Sequence, residues 1–99
     1  MIEVTVFLDE DDQYQGKSMP EYIMRYLMHH GIRGASAFTA VMGYGRKHHL
    51  HYTRGIGRVD EGPMMIVFID EDARVREVLP HLREILKDGL IVCKTVDNG

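Results

Sequence analysis

Residues 63–89, PMMIVFIDEDARVREVLPHLREILKDG, decide the fold of this chain. The run at 64–69 is entirely apolar, which is typical of a strand that is buried on both faces. The apolar residues that follow recur at helical spacing: Val75, Val78, Leu79, Leu82, Ile85 and Leu86. The pattern therefore predicts a strand at 64–69. It also predicts a helix that is capped by Asp70, bends at Pro80 and ends at Gly89.

Strand and helix patterns continue on both sides of this region. Residues 2–8 alternate between apolar and other side chains with a period of two, which predicts a strand. Ser18 begins a capping box, S-M-P-E, and apolar residues recur after it at helical spacing, so a helix is expected at 19–30. The segments 35–42 and 90–96 have the branched and apolar content of strands.

The order of these segments is strand, helix, strand, strand, helix, strand, which predicts a ferredoxin-like α+β fold. In this fold a single antiparallel sheet carries both helices on one face. The other face also needs a cover, because the strand at 64–69 has no polar residue and the strand at 90–96 opens with L-I-V-C. Association with further copies through that face is the simplest explanation, and it predicts an oligomer.

Length and composition fit a single globular unit. The 99 residues are 27% charged and 44% hydrophobic, so one domain over residues 1–99 is expected. The net charge of −3 argues against a general attraction to nucleic acid. The apolar run at 64–69 is far shorter than the roughly 20 residues of a membrane-spanning helix. The single cysteine, Cys93, suits a reducing compartment, so a cytoplasmic protein is expected.

A long central loop, at about 43–62, contains the most distinctive polar pattern. A glycine pair leaves the predicted strand and is followed by two cations: Gly43, Tyr44, Gly45, Arg46 and Lys47. Glycines let backbone amides approach an anion closely, and an arginine adds a forked, charge-assisted contact. The pattern favours an anion-binding site, although the same glycine spacing is also typical of an ordinary turn.

Three stretches resemble the nitrogen-regulatory PII proteins, in the same order and on the same elements. They are GIRGAS at 31–36, VMGYGRKH at 41–48 and YTRG at 52–55. Within that superfamily, the chain is most similar to a short PII-like family, the domain of unknown function 190. The features that carry this closer similarity are Glu10-x-Asp12, Tyr14, Gly16-Lys17 and Gly31-Ile32-x-Gly34-Ala35.

The resemblance implies a homotrimer of ferredoxin-like subunits whose sheets face inward, and a non-enzymatic role in signal transduction. It also implies that a small anionic effector, with an adenine nucleotide as the leading candidate, binds in a cleft between subunits. The implied cleft residues are Gly43, Tyr44, Gly45, Arg46, Lys47, Asp88 and Gly89. The segment 46–58, with Arg54 and Arg58, would contact a regulated partner, either a membrane transporter or channel, or an enzyme.

Three positions depart from the nitrogen-regulatory pattern. Leu90 stands where those proteins have a lysine, and Lys47 stands where they have a metal-chelating glutamine. The resemblance therefore does not carry their ATP and 2-oxoglutarate chemistry over to these two positions. The tyrosine that some of them modify is also missing, because Ile56 follows the Arg-Gly step.

Histidines in the central loop leave a second function open, that of a metal-binding trimeric protein. Two of His48, His49 and His51 could face the same way on an extended chain and bind a transition metal. A solvated loop is the competing explanation, because no cysteine or neighbouring carboxylate completes a tetrahedral set.

The acidic run at 9–12 lacks the glycine and alternating ligands of a calcium loop and predicts a surface turn. No Ser-His-Asp, Cys-His or P-loop pattern points to an enzyme.

Overall fold

A computed structural model describes residues 1–45, 50–52 and 62–99. In chain order, the elements are β1 (Ile2–Asp9), β2 (Gln13–Tyr14), β3 (Lys17–Ser18), α1 (Met19–His29), β4 (Ala35–Thr39), β5 (Met42–Gly43), β6 (His51–Tyr52), β7 (Pro63–Asp70), α2 (Asp72–Ile85) and β8 (Leu90–Thr95). Four strands form one antiparallel sheet in the order β4-β7-β1-β8. This arrangement confirms the predicted ferredoxin-like α+β fold. No helix in the described ranges is long and apolar enough to cross a membrane.

The first helix begins and ends close to where the sequence predicts. The Ser18 hydroxyl accepts a hydrogen bond from the Glu21 amide at 3.3 Å, which satisfies one of the free N–H groups of the first turn. After α1, Gly31 has a φ of +81°, a left-handed conformation that glycine adopts without a Cβ clash. The helix buries one stripe of its surface: Met19, Ile23 and Leu27.

The core lies between the sheet and the two helices. Alternate residues of β1 and β7 point into it, and they meet the apolar stripe of α2 that the sequence predicts. Its largest fully buried members are Phe68, Ile23, Leu27, Ile66, Leu82, Val4, Val6, Val75 and Val78. The helices therefore cover one face of the sheet, as the fold prediction requires.

The other face of the sheet, here called the open face, is apolar and partly exposed. Its large apolar residues are Phe7, Phe38, Met65, Val67, Ile69, Leu90 and Val92. The strand at 64–69 is thus covered on one side only, since Met65 and Val67 are half-buried and Ile69 is 40% exposed. Contiguous apolar patches are uncommon on the surfaces of monomeric proteins and mark interaction sites.

Two predicted boundaries of α2 are wrong. Asp70 does not cap this helix, because it is the last residue of β7 and its carboxylate binds other groups. The N-cap is Glu71, whose side chain makes no capping hydrogen bond. The helix ends at Ile85, before Gly89, because the chain must turn to pair Leu90 with Phe7 of β1.

Two short ribbons were not predicted. The predicted strand 35–42 ends at Thr39, and the next strand, β5, pairs with β6 instead of β7. The second ribbon joins β2 to β3 between the acidic turn and α1. Its two turn residues, Gln15 and Gly16, both have positive φ, at 53° and 77°, as a tight two-residue hairpin turn requires.

A completely buried carboxylate, that of Asp70, joins three segments of the chain. It accepts hydrogen bonds from the backbone amides of Arg33 at 2.9 Å and Glu71 at 2.7 Å. The Arg33 guanidinium lies 3.3 Å away and that of Arg74 3.9 Å away, and Arg74 also donates to the Gly31 carbonyl at 2.7 Å. Burial raises the pKa of Asp70, but the two amide hydrogen bonds and the charge of Arg33 outweigh it, so the pKa is lowered.

We expect Asp70→Ala to lower the free energy of unfolding by about 1.5–3 kcal/mol, because it removes a buried charged acceptor and leaves the Arg33 and Glu71 amides without it. Asp72→Ala is the matched control, since it removes an exposed carboxylate that pairs with the N-terminal ammonium and should cost less than about 1 kcal/mol. Urea unfolding at pH 7 measures both. Equal losses for the two variants would show that Asp70 does not stabilise the fold in this way.

Because folding lowers the pKa of Asp70, the stability that Asp70 contributes is expected to decrease in acid. The stabilisation by Asp70 should be present above about pH 4, the ordinary range of an aspartate, and disappear as the pH falls through the lower folded value. The melting temperature of Asp70→Ala should therefore fall less steeply with acid than that of the wild type.

Candidate functional site

A cleft of about 520 Å³ lies at one end of the sheet, where three turns meet. Tyr44 and Gly45 line it after β5, and Asp88 and Gly89 line it in the turn between α2 and β8. Asp12, from the turn that follows β1, forms part of a third wall. The structure therefore brings together two pairs of residues that lie more than 40 positions apart in the sequence. Both pairs belong to the predicted site.

The turn between α2 and β8 is held closely against β1. A Cβ atom on Gly89 would lie 2.8 Å from the Phe7 carbonyl oxygen and 3.1 Å from Leu86 Cδ2. Only a residue without a side chain fits this position while Leu90 pairs with Phe7. Gly89, one of the predicted site residues, is thus needed for the backbone to turn from α2 into β8.

The acidic turn after β1 is fixed by its own hydrogen bonds. The Asp9 amide donates to Asp12 Oδ2 at 3.1 Å, and the Met19 amide donates to the Asp12 carbonyl at 2.8 Å. The Glu10 amide donates to the Gly62 carbonyl at 2.9 Å, which ties the turn to the start of β7. The predicted surface turn is confirmed, and it forms one wall of the cleft.

Carboxylates make the described walls of the cleft acidic. Asp9, Asp12 and Asp88 line it, together with apolar residues such as Phe7 and Leu90. Within the described ranges, no lysine, arginine or histidine lines the cleft. Carboxylate oxygens of Asp9, Asp11 and Asp12 also lie within 4.8 Å of one another, which is a spacing that a hard cation can bridge.

The remaining predicted site residues are placed as follows. Gly43 lies in β5 and packs near Pro63, but it does not line the cleft. His51 lies in β6, and its side chain falls outside the description. Arg46, Lys47, His48, His49, Arg54 and Arg58 all lie outside the described residues, as does most of the proposed partner segment 46–58. The histidine metal site therefore stays a prediction.

Two glycines of the predicted anion motif are not sterically required by the described chain. A Cβ on Gly45 would meet no described atom within 4 Å, and one on Gly43 would make an ordinary 3.4 Å contact with Pro63. Neither has the positive φ that excludes other residues. A side chain at position 45 would therefore meet neither a described atom within 4 Å nor a left-handed backbone.

The described residues also line two other cavities. The first, here called the α1–β4 groove, has a volume of about 480 Å³, and its lining includes Glu21, Arg25 and Arg33. The second, here called the open-face cavity, has a volume of about 220 Å³. Its lining residues carry no charge: Phe7, Phe38, Thr39, Ala40, Pro63, Met64 and Met65.

A cluster of five rings, from the β2–β3 ribbon, α1 with its C-cap, and α2, was missed by sequence reasoning. Tyr14, Tyr22, Tyr26, His30 and His81 have neighbouring ring centroids 4.1–6.4 Å apart. Tyr22 Oη lies 2.7 Å from His81 Nε2, and burial, Tyr22 and Glu77 raise the pKa of Tyr26. The spacing of 22, 26 and 30 along α1 is the signal that could have found it. The cluster joins the β2–β3 ribbon to both helices.

We expect Gly89→Ala to destabilise the protein by about 1–3 kcal/mol, because the added methyl group collides with the Phe7 carbonyl and the backbone must shift. Gly45→Ala is the matched control, since the same methyl group would meet no described atom there. Thermal and urea unfolding of the two variants gives the comparison. If Gly89→Ala is as stable as Gly45→Ala, the turn is not packed as described.

The chain is similar to known proteins over nearly its whole length. The model of the DUF190 family, described as an uncharacterized ACR, matches residues 1–98. A UPF0166 protein of Methanocaldococcus jannaschii is 32% identical over 94 residues, which cover 88% of this chain and 81% of that protein. A UPF0166 protein of Aquifex aeolicus is 29% identical over 97 residues, which cover 93% of this chain and 87% of that protein.

Proposed function

The chain belongs to the DUF190 family, a member of the PII-like superfamily, and we propose that it is a PII-like regulatory protein. In this proposal, a homotrimer in the cytoplasm binds a small anionic effector between its subunits, and an adenine nucleotide is the leading candidate. The segment 46–58 then contacts a regulated protein, either a membrane transporter or channel, or an enzyme. The protein itself performs no catalysis.

The cleft is the observation that carries this proposal. It joins the end of the Gly-Tyr-Gly stretch to the Asp88–Gly89 turn, two segments that the resemblance assigns to one ligand site. Arg46 and Lys47 follow Gly45 directly in the sequence, so the cations that an anion needs are next along the chain. An effector with both an anionic end and hydroxyl or amino donors suits this composition, because carboxylates accept hydrogen bonds from such donors. Nucleotides have both features.

The position of the cleft supports a site between subunits. Phe7 and Leu90 pair across β1 and β8, and both belong to the open face as well as to the cleft lining. A second copy that covers the open face would therefore border the cleft. The open face is also apolar and is left uncovered by the helices, which supports burial by further copies.

We expect calorimetric titration with AMP, ADP and ATP to detect binding of at least one of them. Arg46→Ala should weaken that binding by about 1.5–3 kcal/mol, the value of a hydrogen bond to a charged group, and Tyr44→Ala should also weaken it. Arg25→Ala is the matched control, because this exposed arginine pairs with Glu21 in the α1–β4 groove. An affinity that neither Arg46→Ala nor Tyr44→Ala changes would place the nucleotide outside the cleft.

We expect light scattering to give the mass of a trimer at micromolar concentration. Val67→Asp should dissociate it, because this half-buried residue lies on the open face and a charge there would be buried without a partner. Ala73→Asp, on the exposed side of α2, is the control and should leave the mass unchanged. A wild-type chain that scatters as a monomer would contradict the proposed assembly.

A further inference from the structure

The acidic wall of the cleft is attached to the β2–β3 ribbon. Asp12, which lines the cleft, directly precedes β2. Its carbonyl accepts a hydrogen bond from the Met19 amide at 2.8 Å, and this bond continues the ribbon beyond the pair of Gln13 with Ser18. Its Oδ2 accepts a hydrogen bond from the Asp9 amide at 3.1 Å. The position of Asp12 in the cleft therefore depends on the position of the ribbon.

The ribbon is too short to be stable by itself. It contains two residue pairs, Gln13 with Ser18 and Tyr14 with Lys17. Even a longer isolated pair of strands is only marginally stable in water. The turn of the ribbon also holds Gln15 at a φ of 53°, a left-handed conformation that disfavours residues with a side chain. The ribbon must therefore gain stability from contacts with the rest of the protein.

Tyr14 supplies such a contact. It is half-buried, whereas the other residues of the segment 13–18 are exposed. Its ring centroid lies 4.7 Å from that of Tyr22 on α1 and 6.4 Å from that of His81 on α2. These two rings are themselves joined, because Tyr22 Oη lies 2.7 Å from His81 Nε2. The ring of Tyr14 thus packs against a surface that both helices form.

We propose that Tyr14 is a positioning residue for effector binding. By packing against Tyr22 and His81 it fixes the ribbon, and the ribbon fixes Asp12 in the wall of the cleft. This inference rests on the proposed function and adds to it a residue that does not itself line the cleft.

The Asp12 carboxylate is suited to bind an effector when it is held in this way. An ionised carboxylate has about four acceptor positions, so Asp12 can accept from a hydroxyl or amino group while its Oδ2 accepts from the Asp9 amide. Removal of the Tyr14 ring would leave this acceptor less well ordered before binding. The affinity would then fall, because the effector must also order the wall.

Hydrogen exchange of the free protein tests whether Tyr14 holds the wall. The Asp9 and Met19 amides both bind Asp12, and the Val6 amide in the middle of β1 reports on global unfolding. Tyr14→Ala should speed exchange at the first two amides by at least about tenfold relative to Val6. Tyr14→Phe keeps the ring and should leave these relative rates within about twofold of the wild type.

Tyr26→Ala is the matched control. It removes a half-buried tyrosine ring of the same cluster, but this ring belongs to α1 and packs on Tyr22, His30 and His81. Any general effect of a lost ring on stability is thereby included in the comparison. The relative exchange rates of the Asp9 and Met19 amides should stay within about twofold of the wild type.

Calorimetric titration with AMP, ADP and ATP tests whether this role reaches the effector. For each nucleotide that the wild type binds, Tyr14→Ala should weaken the affinity by at least about fivefold, whereas Tyr14→Phe and Tyr26→Ala should leave it within about twofold. In an Asp12→Ala background, Tyr14→Ala should change the affinity by less than about twofold, because the residue through which it acts has been removed. Circular dichroism checks that every variant is folded.

Gly16→Val disturbs the same ribbon without altering a ring. Gly16 has a φ of +77°, which valine resists, and a Cβ there would meet no described atom within 4 Å. The variant should therefore leave the core packed, speed exchange at the Asp9 amide and weaken nucleotide affinity, as Tyr14→Ala does. It replaces Tyr14→Ala in both experiments if that variant does not fold.

The outcomes separate this inference from the proposed function. Failure of AMP, ADP and ATP to bind the wild type would overturn the nucleotide proposal and the role of Tyr14 together. Nucleotide binding or exchange rates that Tyr14→Ala and Gly16→Val leave unchanged would overturn this inference alone, and so would an equal loss of affinity in the Asp12→Ala background. Faster exchange at the Asp9 and Met19 amides and a loss of affinity that requires Asp12 are the results expected.

Discussion

The antiparallel pairing of β1 with β7 is the constraint on which the rest of the structure depends. It aligns eight residue pairs, from Ile2 with Asp70 to Asp9 with Pro63, so that one set of alternating side chains faces the helices and the other forms the open face. A slip of β1 by one residue would exchange its two sets and turn Val4 to the open face. The same register places the end of β1 beside the start of β7, where the cleft forms.

The two ends of this pairing have different chemistry. At one end, Asp70 uses its carboxylate to hold the loop before β4 and the start of α2 against the sheet. At the other end, Asp9 and Asp12 belong to a turn whose side chains line an open cleft. The buried carboxylate thus holds segments of the fold together, while the acidic turn contributes its side chains to the lining of the cleft. Burial, not residue type, distinguishes the two roles.

Much of the fold could be predicted because its signals are local. The apolar spacing of α2, the capping box at Ser18 and the alternation of residues 2–8 each reflect the geometry of one element. The role of Asp70 could not be predicted in this way, because its main partner, Arg33, lies 37 residues away in the sequence. A carboxylate just before a helix has the local pattern of a cap, and only the tertiary structure shows which donors reach it.

The candidate site illustrates the same limit. The sequence predicts both Gly45 and Gly89 as site residues, yet among the atoms that the structure describes a side chain would collide with the backbone at Gly89 and not at Gly45. The difference arises from β8, which pairs with β1 and brings the turn against the Phe7 carbonyl. The β2–β3 ribbon was missed because its turn residues are Gln15 and Gly16, and glutamine seldom adopts positive φ. The ring cluster was missed because it depends on a contact between the two helices, in which His81 of α2 lies beside Tyr22 of α1.

On the proposed function, effector binding and assembly are coupled by shared residues. Phe7 and Leu90 line the cleft and also belong to the open face, so an effector in the cleft contacts side chains that a neighbouring subunit covers. An effector that binds the assembled form more tightly must stabilise assembly by the same factor, because linkage between two binding equilibria is reciprocal. Leu90 is the residue at which this coupling departs from the nitrogen-regulatory pattern. In the proposed assembly, a lysine there would place a charge between the effector and the interface, whereas leucine would contribute apolar surface to both.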